Sequence, residues 1–114
     1  MRCELYFGVL RIGAVIDAHD DLQSPEGRIL YDKSFLMSDA AARLRQFIAL
    51  GHECSRLAGD SERFQEIVEE WNGPLSDLTY SGVWSLFGDE GERGILAPTF
   101  LHTGRIYWRW RDSA

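Results

Sequence analysis

The hydrophobic residues of this chain change their spacing along its length, and the changes mark out its elements. Residues 3–16 (CELYFGVLRIGAVI) are a nearly unbroken run of β-branched, aromatic and aliphatic types, which suits β structure. The run is long for one strand. Gly8 and Gly13 fit a bulge, a bend, or two strands with a tight turn near Leu10–Arg11. Residues 17–27 (DAHDDLQSPEG) are polar and carry Pro25 and Gly27, so they read as a loop. Residues 28–32 alternate, with Ile29 and Tyr31 on one face and Arg28, Leu30 and Asp32 on the other, as in a short strand.

The period then becomes helical. Ser38 is a good N-cap, with Asp39 in the first turn. Ala41, Leu44, Phe47, Ile48 and Gly51 recur at three- and four-residue spacing and predict one buried stripe, which Leu57 and Ala58 extend before Gly59 ends the helix. Asp60 or Ser61 caps a second helix, in which Phe64, Ile67, Val68 and Trp71 make the clearest amphipathic pattern of the chain. Asn72, Gly73 and Pro74 stop it. Met37 and the aromatic residues read as core.

The last third returns to strand patterning. Thr79–Phe87, Ile95–His102 and Arg105–Arg111 predict three strands, separated by the turn-rich Gly88–Gly94 and the tight turn Thr103–Gly104. Pro98 lacks an amide for the ladder and belongs at an edge or a bulge. No sequence repeat is evident. The predicted fold is therefore α+β. A mainly antiparallel sheet, made of the N-terminal strand or strands and the C-terminal three-stranded meander, carries two consecutive helices packed on one face. The N-terminal strand is expected to join the C-terminal meander.

Composition narrows the class. A length of 114 residues suits one domain, residues 1–114, and a hydrophobic share of 45% is ordinary for a folded protein. No apolar run approaches the ~20 residues that cross a bilayer. Glu4 and Arg11 interrupt the apolar run near the N-terminus, so no secretory leader is expected there, and the expected location is cytoplasmic. Cys3 and Cys54 read as structural thiols of a reducing compartment, and no Cys/His spacing suggests zinc.

Charge is unevenly spread within a net −6. Acids far outnumber bases in residues 17–92, whereas Arg93, Arg105, Arg109 and Arg111 face only Asp112 in residues 93–114. An acidic middle repels phosphate backbones, which argues against general nucleic-acid binding. Lys33 is the only lysine among 12 basic residues.

Three groups of residues are candidates for chemistry. Asp17, His19, Asp20 and Asp21 could bind a divalent cation or act in acid–base catalysis, although their spacing matches neither a calcium loop nor a zinc helix. Glu62, Glu66, Glu69 and Glu70 gather on the outer face of the second helix, opposed only by Arg63, and with Asp17, Asp20 and Asp21 they form the preferred surface for a basic partner. On the last strand, Ile106, Trp108 and Trp110 share one face, expected to pack on the helices. Arg105, Tyr107, Arg109 and Arg111 share the other, an alternative surface for an acidic partner or for a single strand of nucleic acid, the latter disfavoured by the net −6. No phosphate loop, dinucleotide fingerprint or nucleophile elbow occurs, and nothing places a nucleophile beside a base. Neither a cofactor nor an enzyme is expected.

The expected function is that of a small acidic protein that neutralises another protein by covering it. In size, charge and lack of an active-site motif it resembles bacterial immunity proteins, antitoxins and phage inhibitors, whose natural target here would be a basic nuclease toxin. Two alternatives remain at this level. One is a metal-dependent nucleotide or phosphoester enzyme using the Asp17–Asp21 loop. The other is a homodimer or larger oligomer formed edge to edge through the final strand.

Overall fold

A computed structural model describes residues 2–19, 25–57, 61–79 and 81–111. In it the residues 3–16 form two strands, β1 (Cys3–Phe7) and β2 (Leu10–His19), hinged at Gly8, whose φ of 62° favours glycine. A bulge opposite Leu5/Tyr6 accompanies the hinge, as the glycines suggested. The turn falls at Gly8–Val9, not near Leu10–Arg11, which begin β2. β3 spans Glu26–Tyr31, with Ile29 buried and Arg28 and Leu30 exposed, as its alternation predicts. Three C-terminal strands follow the helices: β4 (Trp84–Gly88), β5 (Gly91–Phe100) and β6 (Arg105–Trp110).

The strands do not make an open sheet covered by helices. They close into an antiparallel barrel in the order β1-β2-β3-β6-β5-β4, with β4 returning to pair with β1. This overturns the α+β layering expected from the sequence. The N-terminal strands do join the C-terminal meander, but at both of its edges, through β1–β4 and β3–β6. A sheet that meets itself buries its inner face without helices to cover it. Its core lies inside, where Leu5, Val15, Ile95 and Ile106 are fully buried. Trp108 and Trp110 belong to this core, and so line the barrel instead of the underside of the helices.

The two halves of the barrel share one plan. Each is a meander whose strands run 5, 10 and 6 residues. In each, a shift of register falls in the second half of the long strand, between Ile16 and His19 in β2 and between Leu96 and Thr99 in β5. Pro98 sits within the second of these, where the missing amide costs the ladder nothing. The repeat lies in strand lengths and pairing, and it leaves no trace as a repeated sequence.

The helices occupy the segment between the end of β3 and the start of β4, and therefore gather at one end of the barrel. They are α1 (Lys33–Met37), a 3₁₀ turn (Asp39–Ala41), α2 (Ala42–Ser55), α3 (Glu62–Asn72) and α4 (Ser76–Thr79). The single helix expected from Ser38 is thus broken. Ser38 precedes the 3₁₀ turn, and its side chain makes no capping bond. The predicted stop at Gly59 lies outside the described residues. The expected stripe holds: Ala41, Leu44, Phe47, Ile48 and Gly51 are all buried. Thr79, read as the start of a strand, ends α4, its hydroxyl bonded to the carbonyls of Trp71 and Leu75. Met37, expected in the core, is 84% exposed, and Phe87 is 41% exposed on the barrel wall.

Trp84 joins the two parts. Its ring is fully buried, packs on Phe7, Phe47 and Phe100, and donates from Nε1 to the Leu78 carbonyl at 2.7 Å. By area alone such a ring contributes at most roughly 4–6 kcal/mol. Beside it α2 meets β5 so closely that a Cβ on Gly51 would stand 2.7 Å from the Phe100 carbonyl oxygen. Gly51→Ala tests this contact. In an exposed helix the change stabilises by up to about 1 kcal/mol. Here it should destabilise by about 1–3 kcal/mol, as urea unfolding would measure.

Candidate functional site: a groove between α2 and α3

α3 owes its start to Ser61, whose hydroxyl accepts from the Phe64 amide at 3.1 Å. The other predicted cap, Asp60, lies outside the described residues. Ile67 is fully buried, while Phe64, Val68 and Trp71 are half-buried, so α3 lies on α2 and α4 with its acidic side turned outward.

Two arginine clamps fix these three helices. Arg63 of α3 reaches across to Glu53 of α2, donating from both Nε and Nη2, the latter at 2.9 Å. Arg63 also meets Glu66 at 3.1 Å. Arg43 of α2 grips both carboxylate oxygens of Asp77 in α4, at 2.8 and 2.9 Å, and donates to the Pro74 carbonyl at 3.1 Å. These fork-shaped contacts set orientation as well as charge balance. Hydrogen bonds from Arg63 hold the Glu53 carboxyl below its ordinary pKa, and those from Arg43 do the same for Asp77.

Between the clamps lies a groove of about 580 Å³. Leu50 is its half-buried apolar residue, and the fully buried Ile67 lies beneath. Glu66, Glu69 and Glu70 stand along one side, with Gln46 opposite and Pro74 at one end. Within the described residues no ion pair engages Glu62, Glu69 or Glu70. The sequence identifies the acids on α3, but not the wall that α2 supplies. The signal was present: Arg43, Gln46, Leu50 and Glu53 repeat at three- and four-residue spacing and form a second stripe beside the buried one.

The other predicted site residues are dispersed. Asp17 ends up exposed on β2, at a φ of 51°, with its carboxylate 3.9 Å from Arg28. It is not part of the groove, because α3 packs on α2 and α4. Asp20 and Asp21 lie outside the described residues. Among the described residues no three of the His, Cys, Asp and Glu side chains gather to share a metal ion.

The strand face is largely committed to holding the barrel together. Arg105 is bonded to Glu26 of β3. Arg111 lies across bare Gly94 and donates to the Gly82 carbonyl. Arg109 and Tyr107 remain exposed. Residues Arg105–Tyr107 pair with β3 on one side, and β6 pairs with β5 on the other. Edge-to-edge association through this strand therefore has no vacant edge there.

One pairing was not anticipated. Ser55 Oγ lies 2.6 Å from His102 Nδ1, with the geometry of a nucleophile beside a base. Ser55 Oγ also lies 2.9 Å from the His52 carbonyl and accepts from the His102 amide at 2.9 Å, so the pair acts as a clasp between α2 and the β5–β6 turn.

Comparison with known proteins returns no match: no family model, no curated protein and no solved structure resembles the chain. Among the described residues no helix is long and apolar enough to cross a membrane.

The N-cap gives a direct test of how the groove is held. Ser61→Ala should cost about 1 kcal/mol and fray the first turn of α3, lowering amide protection at Phe64 in hydrogen exchange.

Proposed function

We propose that this protein works by binding another protein of basic surface through the α2–α3 groove, covering the partner's functional face as an inhibitor. The observation that carries the reading is the groove itself. Leu50 lies beside three carboxylates, and arginine clamps already hold α2 to α3 and α2 to α4. An aliphatic stem with a cationic head, as in arginine or lysine, matches that arrangement: half-buried Leu50 meets the stem and Glu66, Glu69 and Glu70 the head. Because the helices are fixed beforehand, little ordering cost falls on binding. The net −6 adds a long-range pull on a basic partner and a repulsion toward nucleic acid.

The immunity-protein, antitoxin or phage-inhibitor type of action follows from that charge logic, with a basic nuclease toxin as the fitting target and the cytoplasm as the place of action. A nuclease exposes cations where it holds phosphate, and a preformed row of carboxylates competes for them.

The test is capture from the native cell with tagged protein. At low salt one stoichiometric basic partner should bind, and it should leave at about 1 M salt, where the screening length falls to about 3 Å. A variant carrying Glu66→Gln, Glu69→Gln and Glu70→Gln should keep its circular dichroism and lose the partner. Equal capture by that variant, or capture indifferent to salt, would remove the groove from the reading.

A further inference from the structure

The helices gather at one end of the barrel, and the other mouth is framed by strand ends. There the start of β1 lies beside the end of β4, β4 turns through Gly88–Gly91 into β5, and the end of β6 lies beside the first part of β5. A pocket of about 170 Å³ opens at this mouth, walled by Cys3, Leu86, Arg93 and Trp110 and bordered by Asp89 and Glu90 of the β4–β5 turn. It lies at the opposite end of the barrel from the α2–α3 groove and does not rest on the reading of that groove.

Arg93 is out of keeping with its position. It pairs with Leu86 across β4 and β5 and lies two residues before Ile95, and both of those side chains are buried in the barrel. Strand alternation therefore turns Arg93 inward as well. A leucine there would continue the apolar wall without desolvating a charge. Arg93 is half-buried, and its guanidinium carbon stands 3.7 Å from the centre of the Trp110 ring. Trp110 is held in turn by Trp108, edge to face at 5.7 Å. Stacking uses the face of the guanidinium. Its N–H groups lie in the plane of the fork, where a carboxylate is gripped by two parallel bonds.

We propose that this mouth is a binding site for a small monocarboxylate with a compact apolar body, such as an aromatic ring or a branched aliphatic chain. The carboxylate meets Arg93, and the body packs among Leu86, Trp110 and the Cys3 thiol. The size agrees: a cavity of about 150 Å³ takes up benzene, and the pocket of about 170 Å³ matches a single ring or a chain of that bulk. Leu86 and Trp110 are buried in the barrel core, so these walls stand ready before binding and little ordering cost falls on it. The exposed Asp89 and Glu90 limit the charge: they repel a second negative group, which disfavours phosphates and dicarboxylates.

The test is titration of the full chain at neutral pH with benzoate and, separately, with 3-methylbutanoate, read on the indole N–H resonances by proton–nitrogen NMR. The Trp110 signal should shift saturably, while that of Trp84, at the helical end of the barrel, should stay in place. Benzamide has the shape of benzoate without its charge and should bind about 10- to 100-fold more weakly. That comparison needs no variant. Arg93→Gln should weaken benzoate by a similar factor and bring it level with benzamide. No saturable shift at Trp110 with either carboxylate up to about 10 mM, ten times a millimolar Kd, would overturn the site. So would equal affinity for benzoate and benzamide, or shifts centred on the helices. None of these results would bear on capture of a basic partner by the groove.

Discussion

The pairing of β1 with β4 is the constraint on which the rest of the molecule depends. It aligns Leu5 with Leu86 and Phe7 with Trp84, and it turns two three-stranded meanders into a barrel without a free pair of edges. It also sets the position of Trp84. The Trp84 indole holds the Leu78 carbonyl of α4, Asp77 of α4 holds Arg43 of α2, and Glu53 of α2 holds Arg63 of α3. A strand pairing at the closure of the barrel is thus passed, bond by bond, to the spacing of two surface helices.

That chain of contacts explains why the acidic groove can be exposed and still ordered. Crowded carboxylates repel one another and loosen an isolated helix by a few tenths of a kcal/mol per pair. Here the repulsion among Glu66, Glu69 and Glu70 is borne by a helix anchored below by Ile67 and at its start by Ser61. The arginines that could neutralise the acids are used structurally instead. Arg43 turns to Asp77, and Arg63 divides itself between Glu53 and Glu66. Charge is left unmatched along the middle of the groove and matched at its ends.

Local periodicity made several elements legible. Ile29 and Arg28 fall on opposite faces of β3, Trp108 and Arg109 on opposite faces of β6, and Ile67 beneath the glutamates of α3, all as their spacing requires. What spacing cannot encode is which strand finds which. Nothing in Cys3–Phe7 names Trp84–Gly88 as its neighbour, so closure into a barrel was invisible, and with it the inward direction of Trp108 and Trp110. Thr79–Val83 misled because Thr, Tyr and Val favour strands on average, whereas the Thr79 hydroxyl here finishes a helix against the carbonyls of Trp71 and Leu75. Of the site, the α3 acids could be read and the clamps could not. Arg43 and Asp77 lie 34 positions apart, and only the packed helices bring them together.

The split of the barrel into two meanders separated by the helical segment has a consequence during synthesis. β1, β2 and β3 leave the ribosome as a small sheet whose outer strands each have a bare edge, since the partners of β1 and β3 are β4 and β6. Those edges stay uncovered while the entire helical segment is made, and the last is filled only when Arg105–Tyr107 arrives. Bare edges pair readily with those of a neighbouring nascent chain. The risk of misassembly for this protein is therefore concentrated in that interval, and it falls on Cys3–Phe7 and Glu26–Tyr31.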